Sequence, residues 1–217
     1  MIDTTIHIGN FSIHEPMTAF TDLIIAGLAF SFFFRLRKTN DVATHHWSYF
    51  FLFFGLSTFV GAFAHALFLV HEGWEYKSFW LSMQFLTGLA VYKAQHATLV
   101  SVLNTSASKK KWELSYTIQL IAFIIAVPLF QNFLVVVIEN ALGLIPIMIL
   151  HYKDKRPFAK VIANGIAISF LTAIIHLGKF SLHAYFNYND IAHVFIMISL
   201  GVMFKGVKNC PAGQKTV

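Results

Sequence analysis

The chain has 217 residues, 57% hydrophobic and only 12% charged, with a formal net charge of +6 and a mean hydropathy of +0.64. Soluble domains carry about 25% charged residues, so this composition excludes a soluble enzyme, and the positive charge points to membrane topology instead of nucleic acid. The apolar runs are too long for the roughly ten alternating residues of a membrane β-strand. The expected fold class is therefore all-α: one seven-helix transmembrane bundle spanning residues 1–217.

Residues 1–16 contain no Lys or Arg and include Asp3 and Glu15, unlike the basic start of a cleaved signal peptide. The first span, about 17–34, is therefore expected to be retained. Glu15 and Pro16 suit its start, the acid beside the positive helix end and the proline at the first helical position. Asp22 lies two turns further in, either hydrated near the headgroups or facing a polar partner, because a carboxylate is costly in hydrocarbon.

The second span, about 47–70, carries Gly55, Ser57, Gly61 and Ala62, which suit close helix packing, and then His65 in its outer third. His71 and Glu72 follow at the water interface. The third span, about 79–103, carries Gln84 near the outside and Lys93, Gln95 and His96 deeper. Lys93 either snorkels toward the inner surface or needs an internal partner. Spans four and five, about 113–130 and 132–151, are antiparallel neighbours joined by a short outer turn. Gln119 is the main polar residue of span four. Span five holds Glu139 and Asn140, and a kink is expected at Pro146. Spans six and seven, about 159–182 and 189–208, flank a stretch containing His176, His183, Asn189, Asp190 and His193.

The basic residues fix an expected orientation. Arg35, Arg37 and Lys38, Lys109 to Lys111, Lys153, Lys155, Arg156 and Lys160, and Lys205, Lys208 and Lys215 put 13 of the 16 on one side. By the positive-inside rule that side is cytoplasmic, with the N-terminus outside. Odd spans then run inward and even spans outward. Asp22, His65, Gln84, Glu139, Asn140, His176, Asp190 and His193 all fall in the outer half, as one polar pocket would require.

Helical geometry limits how these groups combine. His176 and His183 are about 10.5 Å apart along a helix at 1.5 Å per residue, too far to share one metal easily. Asp190 and His193, or Asn189 and His193, are three and four residues apart and meet on one face. Imidazoles with a carboxylate suit zinc, whose catalytic sites use three protein ligands and an open position for water. The expected ligands are His65, Asp190 and His193, with His176 a further candidate. Asp22 and Glu139 are candidates for general base or ligand orientation. Asn189, Asn140, Gln84 and His183 line the expected pocket. The single cysteine, Cys210, excludes an intrachain disulfide and argues against a thiolate metal site.

The seven-span count, the histidine ending an outward second span and the polar pair opening the last span resemble the superfamily of alkaline ceramidases and progestin/adiponectin-type receptors. Where that family has Ser, three residues, then His, this chain has Gly61 and His65, with Ser57 one turn earlier. Where the family's last span has His, three residues, His, this chain has Asn189 and His193, with Asp190 adjacent. The resemblance implies a Zn2+-dependent membrane hydrolase of a lipid amide or ester. Two other classes use the same residues differently. A seven-span receptor or sensor would bind a lipid-like ligand without chemistry, and a proton-coupled transporter or channel would use Asp22, Glu139, Lys93 and the histidines as a relay. A retinal-binding rhodopsin is disfavoured because Lys205 lies near the inner end of span seven. The expected partners are membrane lipids, and the expected location is the bacterial inner membrane.

Overall fold

The computed structural model describes residues 4–9, 11–68, 73–102 and 106–210. His71 and Glu72 lie outside them. Two short strands come first, β1 (Ile6–Ile8) and β2 (Phe11–Ile13), paired antiparallel with Ile6 opposite Ile13. The turn between them uses Gly9 at φ +62°, a conformation glycine adopts without steric penalty. Nothing in the apolar pattern of residues 1–16 marks this hairpin.

Eight α-helices follow: α1 (Pro16–Leu36), α2 (Val42–Phe63), α3 (Trp74–Val102), α4 (Ser106–Phe130), α5 (Phe133–Lys153), α6 (Pro157–Ser169), α7 (Leu171–Gly178) and α8 (Tyr188–Lys208). A π-helical turn, Ala64–Phe68, extends α2. Six helical segments of the described residues are long and apolar enough to cross a membrane: 16–36, 42–67, 108–130, 133–153, 157–178 and 188–208. The 29-residue α3 has the length but is less apolar, because Glu75, Lys77, Lys93, Gln95 and His96 interrupt it.

The caps explain several boundaries. Asp41 opens α2 by accepting from Thr44 N at 2.7 Å, and Asn132 opens α5 by accepting from Leu134 N at 2.8 Å; each satisfies an amide with no partner inside its helix. The expected sixth span is two helices, α6 and α7, meeting at Phe170. It stops at Gly178, short of residue 182, where Lys179 takes a left-handed conformation at φ 48°. His183 therefore lies in a turn closed by its bridge to Phe186. The helix α5 continues through Pro146 as a single element.

The buried stripe of α1 runs Thr18, Asp22, Ile25, Ala29, Phe32, Leu36, alternating steps of four and three, which keeps one face inward. Its N-terminal end is polar and its C-terminal end apolar. Phe32, Trp47, Phe51, Ile147, Ile162 and Leu200 form part of one core shared by α1, α2, α5, α6 and α8. Small residues let the helices approach. Gly55 packs against Phe30 and Ala29 of α1, while Gly165 faces Met203 and Ser199 of α8. Ser199 Oγ donates to Gly165 O at 2.7 Å. This packing brings α1, the end of α2 and the start of α8 together.

Candidate functional site

Three elements assemble a polar cluster at the end of the bundle where α1 and α8 begin and α2 stops. Pro16 fixes the start of α1, and the preceding Glu15 adopts a left-handed backbone at φ 41°. For a non-glycine residue this conformation costs roughly 1–2 kcal/mol. The turn carries the Glu15 carboxylate, 8% exposed, to within 2.8 Å of His65 Nδ1. His65 itself lies in the π-helical turn, a device that re-aims side chains and recurs at functional sites. A backbone hydrogen bond from His14 N to Ala66 O at 2.9 Å ties the two segments together.

One turn further into α1, Thr21 and Asp22 face α8. His193 Nδ1 stands 2.7 Å from Thr21 Oγ1, and His193 Nε2 stands 3.5 Å from Asp22 Oδ1. The Thr21 hydroxyl donates toward the Met17 and Thr18 carbonyls, each at 3.0 Å. Its one hydrogen serves these carbonyls or His193 Nδ1, whose own role as donor or acceptor follows from its tautomer. The other imidazole nitrogen faces the buried Asp22 carboxyl at 3.5 Å, an acid–base pair in which either partner can carry a proton. Asp22 is 4% exposed, and its Oδ2 lies against Gly61, where a β-carbon would stand 3.1 Å away.

Asp190 is engaged otherwise. It completes the capping box of α8, accepting from Asn187 N at 2.8 Å while Asn187 Oδ1 accepts from Asn189 N at 2.7 Å. Its second oxygen accepts from Thr18 Oγ1 at 3.1 Å. One amide contact, one hydroxyl contact and the positive end of a 21-residue helix make Asp190 an anchor for the start of α8. It adds a second link between α1 and α8, beside the Asp22–His193 pair.

The other expected site residues are distributed elsewhere. Glu139 is buried on α5 in a separate network with α3 and α4, where Gln95 Nε2 donates to Gln119 Oε1 at 2.9 Å and Gln119 Nε2 approaches the Glu139 carbonyl at 3.4 Å. Asn140 donates to Val136 O at 3.0 Å along its own helix. Gln84 is 1% exposed, and neither of its amide atoms has a hydrogen-bond partner among the described residues. His176 packs between the Phe133 and Tyr188 rings at 5.9 and 5.5 Å. His183 Nδ1 accepts from Tyr185 N at 3.2 Å in its own turn. Lys93, the expected outlier of α3, places its ammonium 5.9 Å from both the Tyr49 and Tyr92 rings, an aromatic seat for a cation.

A family model for a family of unknown function, DUF6962, matches residues 17–211, which covers every helix from the first turn of α1 to the end of α8. The chain belongs to this family. No curated protein and no solved structure matches it. The family thus coincides with the helical bundle and assigns it no chemistry, so the side chains alone carry the functional argument.

A zinc ion of the kind the resemblance implies would draw on His65, Asp190 and His193. His65 and His193 direct Nδ1 at Glu15 and Thr21, which leaves each Nε2 for a ligand as in metal-bound imidazoles, whereas both Asp190 oxygens are occupied by amide and hydroxyl donors. Among the described residues, no three His, Cys, Asp or Glu side chains are placed to hold one metal ion. As packed, the cluster presents pairs of such groups among the described residues. Its two carboxylate–imidazole pairs are suited to holding and passing protons. Sequence reasoning placed Asp22, His65 and His193 at one depth and missed Glu15, whose reach depends on a backbone conformation with no side-chain signature.

Proposed function

We propose that the protein is a seven-span membrane protein, with its N-terminus outside and its C-terminus in the cytoplasm, that responds to external protonation through the Glu15–His65 and Asp22–His193 pairs. The observation that carries this reading is the pairing of two buried carboxyls with two imidazoles, Glu15 with His65 at 2.8 Å and Asp22 with His193 at 3.5 Å. Histidine is the side chain whose ordinary titration lies between about pH 5 and 8. The charge state of each pair sets how strongly α1 is held, to α2 by the first and to α8 by the second. Interactions between charges strengthen as the surrounding dielectric falls, so a single proton can rebalance the packing of α1. The basic residues gathered at the opposite end support the orientation, and the exposed apolar side chains of α1, α4 and α5 support a lipid environment. The short loops favour the bacterial inner membrane.

Infrared difference spectra of the full chain in lipid nanodiscs, taken between about pH 5 and about pH 8 to bracket imidazole titration, test the reading. A carboxylic-acid carbonyl band is expected that disappears in Asp22→Asn and shifts in His193→Gln. Spectra indifferent to both substitutions overturn the proton reading. So does stoichiometric zinc in the purified protein that is lost in His65→Ala and His193→Ala. In that case chelator-sensitive hydrolysis of a lipid amide or ester becomes the function to measure.

A further inference from the structure

At the far end of the bundle from the proton pairs, the last turn of α1, the start of α2 and the end of α8 enclose a groove of about 250 Å³, lined by Arg35, Thr39, Asp41, Thr44, Lys208 and Cys210 among others. Two cations contribute to its wall, and Arg37, Lys38 and Lys205 are exposed on the same helix ends. Among the described residues, none of these five has a carboxylate within ion-pair distance. The one acid in the groove is already engaged. Asp41 Oδ2 accepts from Thr44 N at 2.7 Å and from Thr44 Oγ1 at 2.6 Å, so its charge is directed into the cap of α2. The groove therefore presents an excess of unpaired positive charge in a confined space, which is the chemistry of an anion site.

We propose that this groove binds the phosphate headgroup of an anionic membrane lipid, with Arg35 and Lys208 as its cationic contacts. A lipid is favoured over a free anion because the groove adjoins the bilayer-facing surface. Phe34, next to Arg35, is 56% exposed, and the Arg37 guanidinium stacks 4.9 Å from its ring. An acyl chain can follow that aromatic edge while the phosphate sits inside. Basic pockets between membrane helices at the cytoplasmic surface bind anionic headgroups on this principle. A phosphodiester at this position clamps the end of α1 to the end of α8, opposite the Asp22–His193 pair that joins the same two helices at their other ends. The inference rests on the helices crossing a bilayer and is independent of the proton reading.

Native mass spectrometry of the full chain from nanodiscs containing phosphatidylglycerol and phosphatidylcholine tests it. Cys210, the single cysteine, lines the groove and supplies a second readout through its rate of maleimide labelling. Wild type is expected to retain phosphatidylglycerol and to label more slowly in its presence. Arg35→Gln with Lys208→Gln is expected to weaken retention about thirtyfold, from the loss of two contacts of the usual strength for basic residues at a membrane surface. Lys109→Gln with Lys111→Gln, an equal charge change elsewhere, is expected to retain it. Equal retention by both double variants overturns the proposal. Protection of Cys210 by millimolar inorganic phosphate in the absence of phosphatidylglycerol also overturns it and makes the groove a free-anion site. Failure of the wild type to enter nanodiscs overturns the membrane reading beneath it, an outcome distinguishable from selective loss in the variants.

Discussion

Asp154 and Arg156 form a single pair that ties acid stability to the loop between α5 and α6. Burial opposes ionisation of Asp154, but the Arg156 side chain outweighs it, with Nε 3.0 and 2.9 Å from the two carboxylate oxygens and a terminal nitrogen at 2.5 Å. The balance holds the Asp154 carboxyl below its usual value. The same guanidinium also donates to the Ser101 carbonyl, so the pair pins the loop after α5 to the end of α3. A carboxyl with a lowered folded-state pKa contributes stability that is fully present above its unfolded value near 4 and is lost as pH falls through the folded value. Thermal unfolding in detergent should therefore show a decline in Tm below about pH 4. Asp154→Asn should lower Tm at neutral pH, by a loss of about 1–3 kcal/mol, and remove part of that acid slope. An unchanged slope would assign the acid sensitivity to other carboxylates. At this same scale, the cluster of Asp22, His65 and His193 was legible because costly residues at one depth in separate helices need one another. Glu15 was not, since a left-handed backbone ahead of a proline decides where its carboxylate points. Glu139 shared the depth but lies on α5, and depth alone carries no information about which side of the bundle a residue occupies.

At the scale of elements, the span pattern read from hydropathy agrees with the helices to within a few residues at most ends, because each long apolar run must satisfy its backbone internally in hydrocarbon. Two features escaped. The break between α6 and α7 at Phe170 has no proline or glycine to mark it, and the N-terminal hairpin is too short for a periodic signal. Close packing was expected at the small residues of α2, while the glycines between α6 and α8, which carried no such expectation, differ in tightness and give a test. A β-carbon at Gly165 would stand 2.8 Å from Met203 N and 3.1 Å from Ser199 O, and one at Gly206 would stand 2.9 Å from Ile162 N and 3.0 Å from Phe158 O. These neighbours are backbone and cannot rotate away. Gly201, on the same helix, has nothing within 4 Å of a β-carbon. Gly165→Ala and Gly206→Ala should each destabilise the protein by about 1–3 kcal/mol through overpacking of α6 against α8. Gly201→Ala should be neutral or slightly stabilising, since alanine is the better helix former. Thermal unfolding of the three variants in one detergent checks the order, and equal effects would mean that α6 and α8 can separate without penalty.

For the whole molecule, α3 decides the topology. If its 29 residues cross the membrane despite their polar content, α1 and α2 are followed by an inward rod, and the bundle has seven crossings. The basic residues after α1, α3, α5 and α8 then share one side. If α3 lies outside the bilayer, α4 starts from the opposite side and Lys109 to Lys111 part company with Arg35, Arg37 and Lys38. The packing favours insertion: Ala90, Ala94 and Ala97 of α3 are fully buried in the bundle, and Ser57 of α2 donates to the Met83 carbonyl at 2.8 Å. Lys93 has its aromatic seat on Tyr49 and Tyr92, which reduces the penalty of its charge at depth. In a Cys210→Ser background, a membrane-impermeant maleimide applied to intact cells should leave Lys38→Cys and Lys109→Cys unlabelled and should label Gln131→Cys; permeabilisation should expose all three. Labelling of Lys109→Cys from outside would remove α3 from the membrane. It would also split the basic residues between the two surfaces, and the outward placement of Asp22, His65 and His193 would then lose its support from charge asymmetry.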